Sequence, residues 1–185
     1  MNKTIIIYDS KYGHTKQYVQ WLAEELNADI CKAKKLNAHT LNDYATIIFG
    51  SSLYAGRSKA ALMVLKHFKQ IQYKKVVLFT CGVADVSKES NINSINKALD
   101  KVLTPEIRSR IAIFHVRGGI DSENLSFLHK TMMKMAFSFL SKKSEQELTD
   151  ENRDLLAIYG KKIDFSDKKM LEPMIEYCRE NQDKS

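Results

Sequence analysis

The chain is 185 residues long, with 29 lysines and arginines against 22 acids and a formal net charge of +7. Its 44% hydrophobic and 28% charged content is ordinary for a globular protein, and its length suits one domain with a substantial core and some elaboration. Cysteines without CxxC or metal spacing, histidines without HxxxH or HExxH pairs, and no apolar run near the roughly 20 residues of a membrane span argue against a disulfide scaffold, a protein-ligated metal and a membrane-spanning chain.

Thr4-Ile5-Ile6-Ile7-Tyr8 reads as a first buried strand, and Val19, Leu22, Ala23 and Leu26 then recur at the spacing of one helix face. Between them lies Ser10-Lys11-Tyr12-Gly13-His14-Thr15. Hydroxyls, free backbone N–H groups and the positive end of a helix converge in such a loop, and Gly13 permits close backbone approach. The loop suits a phosphate, and it suits a plain strand–helix connection equally well. A weaker apolar run at about Ala28–Cys31 and stronger ones at Ala45–Phe49, Val76–Thr80 and Ile111–Val116 supply further strands. Amphipathic segments carrying Ala61, Leu65 and Phe68, then Ile92, Ile95, Leu99 and Val102, lie between them. Apolar strands alternating with helices predict an α/β fold, a doubly wound five-stranded parallel sheet covered on both faces.

After the fifth strand Gly118-Gly119 break the pattern. A last helix of the series is expected over about Asp150–Ile163, on Leu155, Leu156, Tyr159 and Ile163, with a short helical stretch around Leu171–Cys178. This divides the chain into a domain at 1–164, with a helical insertion at about 121–148, and a C-terminal tail at 165–185.

Ligands of doubly wound sheets bind outside the carboxyl ends of the strands. That rule selects Ser10–Thr15, Ser51–Ser58 and Cys81–Glu89. Ser52-Leu53-Tyr54-Ala55-Gly56 offers small residues and an aromatic ring able to stack on a flat ligand, and Thr80-Cys81-Gly82-Val83 is again small. Together the loops describe a phosphate pocket beside a slot for a planar heterocycle. No GxGxxG follows the first strand, and the Ser51–Ser58 loop lacks the first Gly and the Lys of a P-loop, so both nucleotide motifs fail.

At these loops the chain resembles the flavodoxin family, through a Ser/Thr-x-x-Gly-x-Thr phosphate loop at Ser10–Thr15 and two flavin-flanking loops. It looks closest to the branch of flavodoxin-type, menaquinone-dependent protoporphyrinogen IX dehydrogenases. There the loop after strand three reads much like Ser51-Ser52-Leu53-Tyr54-Ala55-Gly56, and a basic, Met- and Phe-rich segment follows strand five, as Phe127–Lys143 does here. The resemblance covers about residues 1–164 and implies a strand order 2-1-3-4-5. It also implies FMN, with the phosphate held by Ser10, Lys11, Tyr12, Gly13, His14 and Thr15. The isoalloxazine would meet Ser52, Leu53, Tyr54, Ala55 and Gly56 on one side, and Thr80, Cys81, Gly82 and Val83 on the other. Electron-carrier flavodoxins are usually acidic, and this chain is basic.

Leu125–Lys143 carries no acid. Leu125, Leu128, Met132, Met135 and Phe139 form one helical stripe, which Phe127, Met133, Phe137 and Leu140 widen, and Lys130, Lys134, Lys142 and Lys143 supply only positive charge. Its apolar face can pack on the protein's own core, on an anionic membrane or a hydrophobic ligand, or on a second subunit. Among single residues, Cys81 reads as a small spacer rather than a redox thiol. His14 reads as a neighbour of the phosphate or solvent, and His115 as a hydrogen-bonded core residue. Arg57 and Arg117 suit a substrate carboxylate or plain surface charge.

The sequence therefore predicts an FMN-dependent oxidoreductase whose chemistry sits on the flavin, with no catalytic side chain and no metal. Its partner is a hydrophobic small molecule, as the resemblance implies for protoporphyrinogen IX with a quinone acceptor, or a redox protein if the chain is an electron shuttle. No Arg-rich cluster, zinc-finger spacing or aromatic RNP-like strand suggests nucleic acid. The expected location is cytoplasmic, with peripheral contact at the inner face of the cell membrane left open through residues 125–143.

Overall fold

Strand β1 (Thr4–Asp9) sends Ile5 and Ile7 to one face of the sheet and Ile6 and Tyr8 to the other, and all four are buried. Burial on both faces is why the run is apolar throughout. The computed structural model describes residues 3–54 and 56–180. After β1 come β2 (Asp29–Lys32), β3 (Thr46–Tyr54), β4 (Arg57–Ser58), β5 (Lys75–Gly82), β6 (Ile111–Arg117), β7 (Gly119–Asp121) and β8 (Lys162–Asp164). Parallel pairing gives the order β2-β1-β3-β5-β6, with β4 folding back antiparallel on the end of β3. This is the order 2-1-3-4-5 in the count of the long strands.

The helices are α1 (His14–Leu26), α2 (Lys59–Ile71), α3 (Glu89–Asp100), α4 (Pro105–Arg110), α5 (Phe127–Leu140), α6 (Asp150–Ile158) and α7 (Glu172–Arg179). Helices α2, α3 and α4 cover one face, where Val64, Phe68, Ile95, Leu99 and Ile107 pack on Ile5, Phe49 and Leu78. Helices α1 and α7 cover the other, where Tyr18, Val19 and Leu22 meet Leu171, Met174, Ile175 and Cys178 over Ile6, Val77, Phe79 and Val116. Each such side chain taken from water contributes about 1.5–3 kcal/mol. Residues 168–179 thus share one core with the sheet. The Lys75 ammonium fastens them by donating to the carbonyls of Tyr177 and Cys178 at the end of α7.

The expected helix over Asp150–Ile163 is corrected in two ways. It starts at Asp150, where the Thr149 hydroxyl accepts from the Asn152 N–H, but it ends at Ile158. Gly160 then takes φ 74°, and Lys162–Asp164 pair antiparallel with Gly119–Asp121. The helix that completes the far face of the sheet is α7 instead. The elaboration after β6 consequently spans 119–164: a lobe of α5 and α6 closed at its base by the β7–β8 ribbon. Likewise α3 stops at Asp100, two positions before Val102.

Candidate functional site

Three loops at the carboxyl ends of β1, β3 and β5 meet the lobe and enclose a cavity of about 320 Å³. The first loop turns at Gly13, whose φ of 102° suits glycine and which caps α1 without a side-chain hydrogen bond. A Cβ placed on Gly13 would meet nothing within 4 Å, so the space before the helix N-terminus is open. The Ser10 hydroxyl accepts from the Lys16 N–H at 3.3 Å, and the buried Thr15 hydroxyl lies 2.9 Å from that of Ser52. Uncapped first-turn N–H groups beside two hydroxyls fit a phosphate.

In the second loop β3 runs on to Tyr54 and returns through Gly56 into β4. The Ser51 and Ser58 hydroxyls are spent on α2, accepting from the N–H groups of Ala60 and Ala61 at 3.0 and 3.2 Å. The third loop is held by Arg117. Its Nε donates to the Val83 carbonyl at 3.1 Å, its Nη1 lies 3.5 Å from Asp85 Oδ2, and its guanidinium carbon lies over the Phe165 ring, 3.7 Å from the centroid. Hydrogen bonds from Ser87, with Arg117 and Lys88 adding to them, hold the Asp85 carboxyl below the usual carboxylate range. Arg117 is thus a structural clamp on this loop.

The lobe forms the roof. The Tyr12 hydroxyl lies 2.7 Å from His129 Nδ1 and accepts from the Ser126 N–H at 3.2 Å, while Lys11 Nζ donates to Ser126 Oγ at 3.1 Å. Tyr54 packs against the His129 ring with centroids 4.9 Å apart. At the other end Asp154 of α6 accepts from Lys88 Nζ at 2.8 Å and from Asn91 Nδ2 at 3.0 Å. Burial opposes its ionisation, but these donors outweigh burial and keep its pKa low. Gly118 and Gly119 make the seam possible. A Cβ on Gly118 would stand 2.7 Å from Cys81 Sγ, and one on Gly119 would stand 2.7 Å from His14 Cε1 and 2.9 Å from Asp164 Cα.

Of the residues singled out in the sequence, Tyr12, His14, Ser52, Leu53, Tyr54, Cys81, Gly82 and Val83 line the cavity. Ser10, Lys11, Gly13 and Thr15 surround the start of α1. Thr80 turns to the opposite face, its hydroxyl 2.7 Å from His115 Nδ1, and Gly56 sits in the hairpin turn away from the lining. Ala55 lies outside the described residues. His14 points to the ribbon, with Nδ1 3.3 Å from Asp164 Oδ1. Burial pushes the Cys81 thiol up to about 12, so it stays a neutral, apolar wall. Burial also raises the Tyr54 phenol to about 12.

The roof supplies residues that loop reasoning did not single out: His129, Met132, Met133 and Ala136 from α5, and Leu155 from α6. His129, Met133 and Ala136 share one helix face, a signal masked because the opposite face is apolar too. With Leu53, Ile120 and Leu125 they make a largely apolar chamber suited to a flat, hydrophobic group.

A family model described as a flavodoxin domain matches residues 5–147. An uncharacterized protein of Methanocaldococcus jannaschii is 30% identical over 82 residues, 43% of this chain and 55% of that protein. The chain therefore spans only about half the length of that relative. Among solved structures, oxidised flavodoxin 2 from Bacillus cereus aligns over 84% of this chain and 94% of its own at 15% identity, with a TM-score of 0.40. The Trp repressor binding protein from Bacillus subtilis aligns over 63% of this chain and 85% of its own at 11% identity, with a TM-score of 0.47.

Proposed function

This chain belongs to the flavodoxin domain family, and from that premise we propose that it is an FMN-dependent oxidoreductase exchanging electrons with a hydrophobic partner. In its finer form the reading takes protoporphyrinogen IX as the electron donor and a quinone as the acceptor. The observation that carries it is the roofed apolar chamber, which sits where the strands end and beside a loop fitted for a phosphate. A plain electron carrier needs an exposed flavin edge, not a covering lobe of Met, Leu and Phe side chains.

Bound FMN would supply the capacity to take up and pass on electrons. The protein's share is holding and enclosing. The uncapped N-terminus of α1, with Ser10 and Thr15, would take the phosphate. Leu53, Tyr54, Gly82 and Val83 would border the ring, and Met132, Met133 and Leu155 would exclude water from the partner's side. Resemblance to the protoporphyrinogen dehydrogenase branch and the apolar lining that the lobe turns to the chamber support this partner class.

The test is anaerobic. Purified flavoprotein is mixed with protoporphyrinogen IX, then with a soluble quinone analogue, while flavin absorbance is followed. Bleaching by the first and recovery with the second are expected over repeated turnovers. Bleaching only by a protein reductant, with no turnover of either small molecule, is the behaviour of an electron shuttle and would replace this reading.

A further inference from the structure

Helix α5 is apolar on two sides. His129, Met133, Ala136, Phe137 and Leu140 turn toward the protein. Leu128, Met132, Met135 and Phe139 turn outward and are 64%, 39%, 61% and 64% exposed, with Phe127 at 86%. The outward four recur at the i, i+4, i+7, i+11 spacing of a single stripe. Lys142 and Lys143 follow the last turn at the end of this stripe, with Lys143 Nζ 5.1 Å from the Phe139 ring centroid, while Lys130 and Lys134, also exposed, stand more than roughly 90° around the helix from it. Among the described residues these four lysines form no ion pair. Other cations of the lobe do, Arg153 with Glu145 and Asp150, and Lys162 with Asp121.

We propose that the outward face of α5 docks on an anionic lipid bilayer, with Leu128, Met135 and Phe139 in the acyl boundary and Lys142 and Lys143 at the headgroups. A row of exposed large apolar residues in a soluble protein marks a contact surface. Unpaired Lys142 and Lys143 at its end, with no acid between Leu125 and Lys143, select an anionic partner. At 14 residues α5 is too short to cross a bilayer and instead lies in its plane. Met132 is both part of the stripe and part of the cavity lining, so the chamber opens beside the lipid-facing edge. The docking itself holds whichever substrate the chamber takes.

Flotation of the full chain with vesicles of phosphatidylcholine, alone or mixed with phosphatidylglycerol, tests the proposal at low and high salt. Flotation with the mixed vesicles is expected, weakening as salt rises. Lys142→Glu combined with Lys143→Glu should weaken it at least about twentyfold, given roughly fivefold per basic residue near the surface. Leu128→Ser combined with Phe139→Ser should remove the binding that persists at high salt. None of the four positions lines the cavity, so far-UV circular dichroism should not change. No flotation of the parent, or flotation indifferent to both variant pairs, would overturn the proposal. So would a concentration-dependent dimer in sedimentation that Phe139→Ser abolishes, which would assign the face to a second copy.

Discussion

The Tyr12 hydroxyl and His129 Nδ1 lie 2.7 Å apart, joining the first loop of the sheet to a helix 117 positions further along the chain. Burial lowers the His129 pKa, with Lys11 adding to it, which favours the neutral imidazole beside the phenol. Partial burial opposes ionisation of Tyr12, but hydrogen bonds from Ser126 and the charge of Lys11 outweigh it and lower the phenol's pKa. The lobe is therefore latched to the loop that fits the phosphate.

Tyr12→Phe keeps the ring and removes the latch. The expected loss is at least about 1 kcal/mol, because the hydroxyl bonds both His129 and Ser126, and it should fall on the lobe alone. Hydrogen exchange should then show α5 amides exchanging at least about fivefold faster, with β1, β3 and β5 unchanged. Equal protection of α5 in both proteins would mean that apolar packing, including the Phe137–Tyr159 stack at 4.1 Å, holds the roof without Tyr12.

FMN affinity should respond to the first loop in a graded way. Thr15→Val leaves the buried shape but removes the hydroxyl shared with Ser52, so a loss of about 1–3 kcal/mol is expected, typical of a bond to a charged group. Gly13→Val should cost more. Its φ of 102° strains a β-branched residue even though the space is open. Fluorescence titration of FMN into each apoprotein measures both, and the flavin released by acid should have the mass of FMN and not FAD. Dissociation constants indifferent to both changes would place the phosphate elsewhere.

Much of the sheet was legible because β1, β3, β5 and β6 are unbroken apolar runs, the pattern of strands buried on both faces. The short strands were not, since β4, β7 and β8 carry two or three residues each and no periodicity can be read from so few. Ile163 satisfied a helical count from Leu155 and Leu156, yet it pairs with Ile120 in the ribbon because Gly160 stops the helix first. The face of α5 was ambiguous for another reason. Leu128, Met132, Met135 and Phe139 make the better stripe by sequence, and the tertiary structure buries the opposite side because His129 finds Tyr12 and Phe137 finds Tyr159. The Leu171–Cys178 stretch was legible as a helix of the tail, but not its place in the core, because nothing in so short a segment says which surface it covers.

Met174→Ala should cost about 2–5 kcal/mol, as for other fully buried large side chains, since Met174 is wholly enclosed between α1 and the sheet. Leu128→Ala, on the open face of α5, should stay within about 0.5 kcal/mol. Urea unfolding separates the two. A mild Met174→Ala would mean that residues 168–179 are a dispensable appendix and that the far face of the sheet is sealed by α1 alone.

The pH dependence of stability should carry a signature of His115. On the α3 side of β6 its Nδ1 lies 2.7 Å from the Thr80 hydroxyl, and its Nε2 lies 3.4 Å from Asn96 Oδ1. Burial, with Arg108 adding to it, pushes the imidazole down from 6.5 to about 4 in the folded protein. Above the unfolded value neither state binds the proton, and the stabilisation is fully present. As pH falls between the two values only the unfolded chain takes the proton, so stability declines, and the loss is complete once pH passes below the folded value. For a half-buried ring the loss is about 1–3 kcal/mol, after discounting the roughly 1.4 kcal/mol per pKa unit for solvent screening. Carboxylates with lowered pKa values, Asp85, Asp121, Asp154 and Asp164, lose their contributions further down, as pH falls through their folded values. Urea midpoints at pH 7.5, 6.0 and 4.5 should therefore fall in the parent. In His115→Gln, which keeps a partner for Thr80 and cannot protonate, they should fall much less over the same interval. Parallel declines in the two proteins would assign the acid sensitivity to other groups.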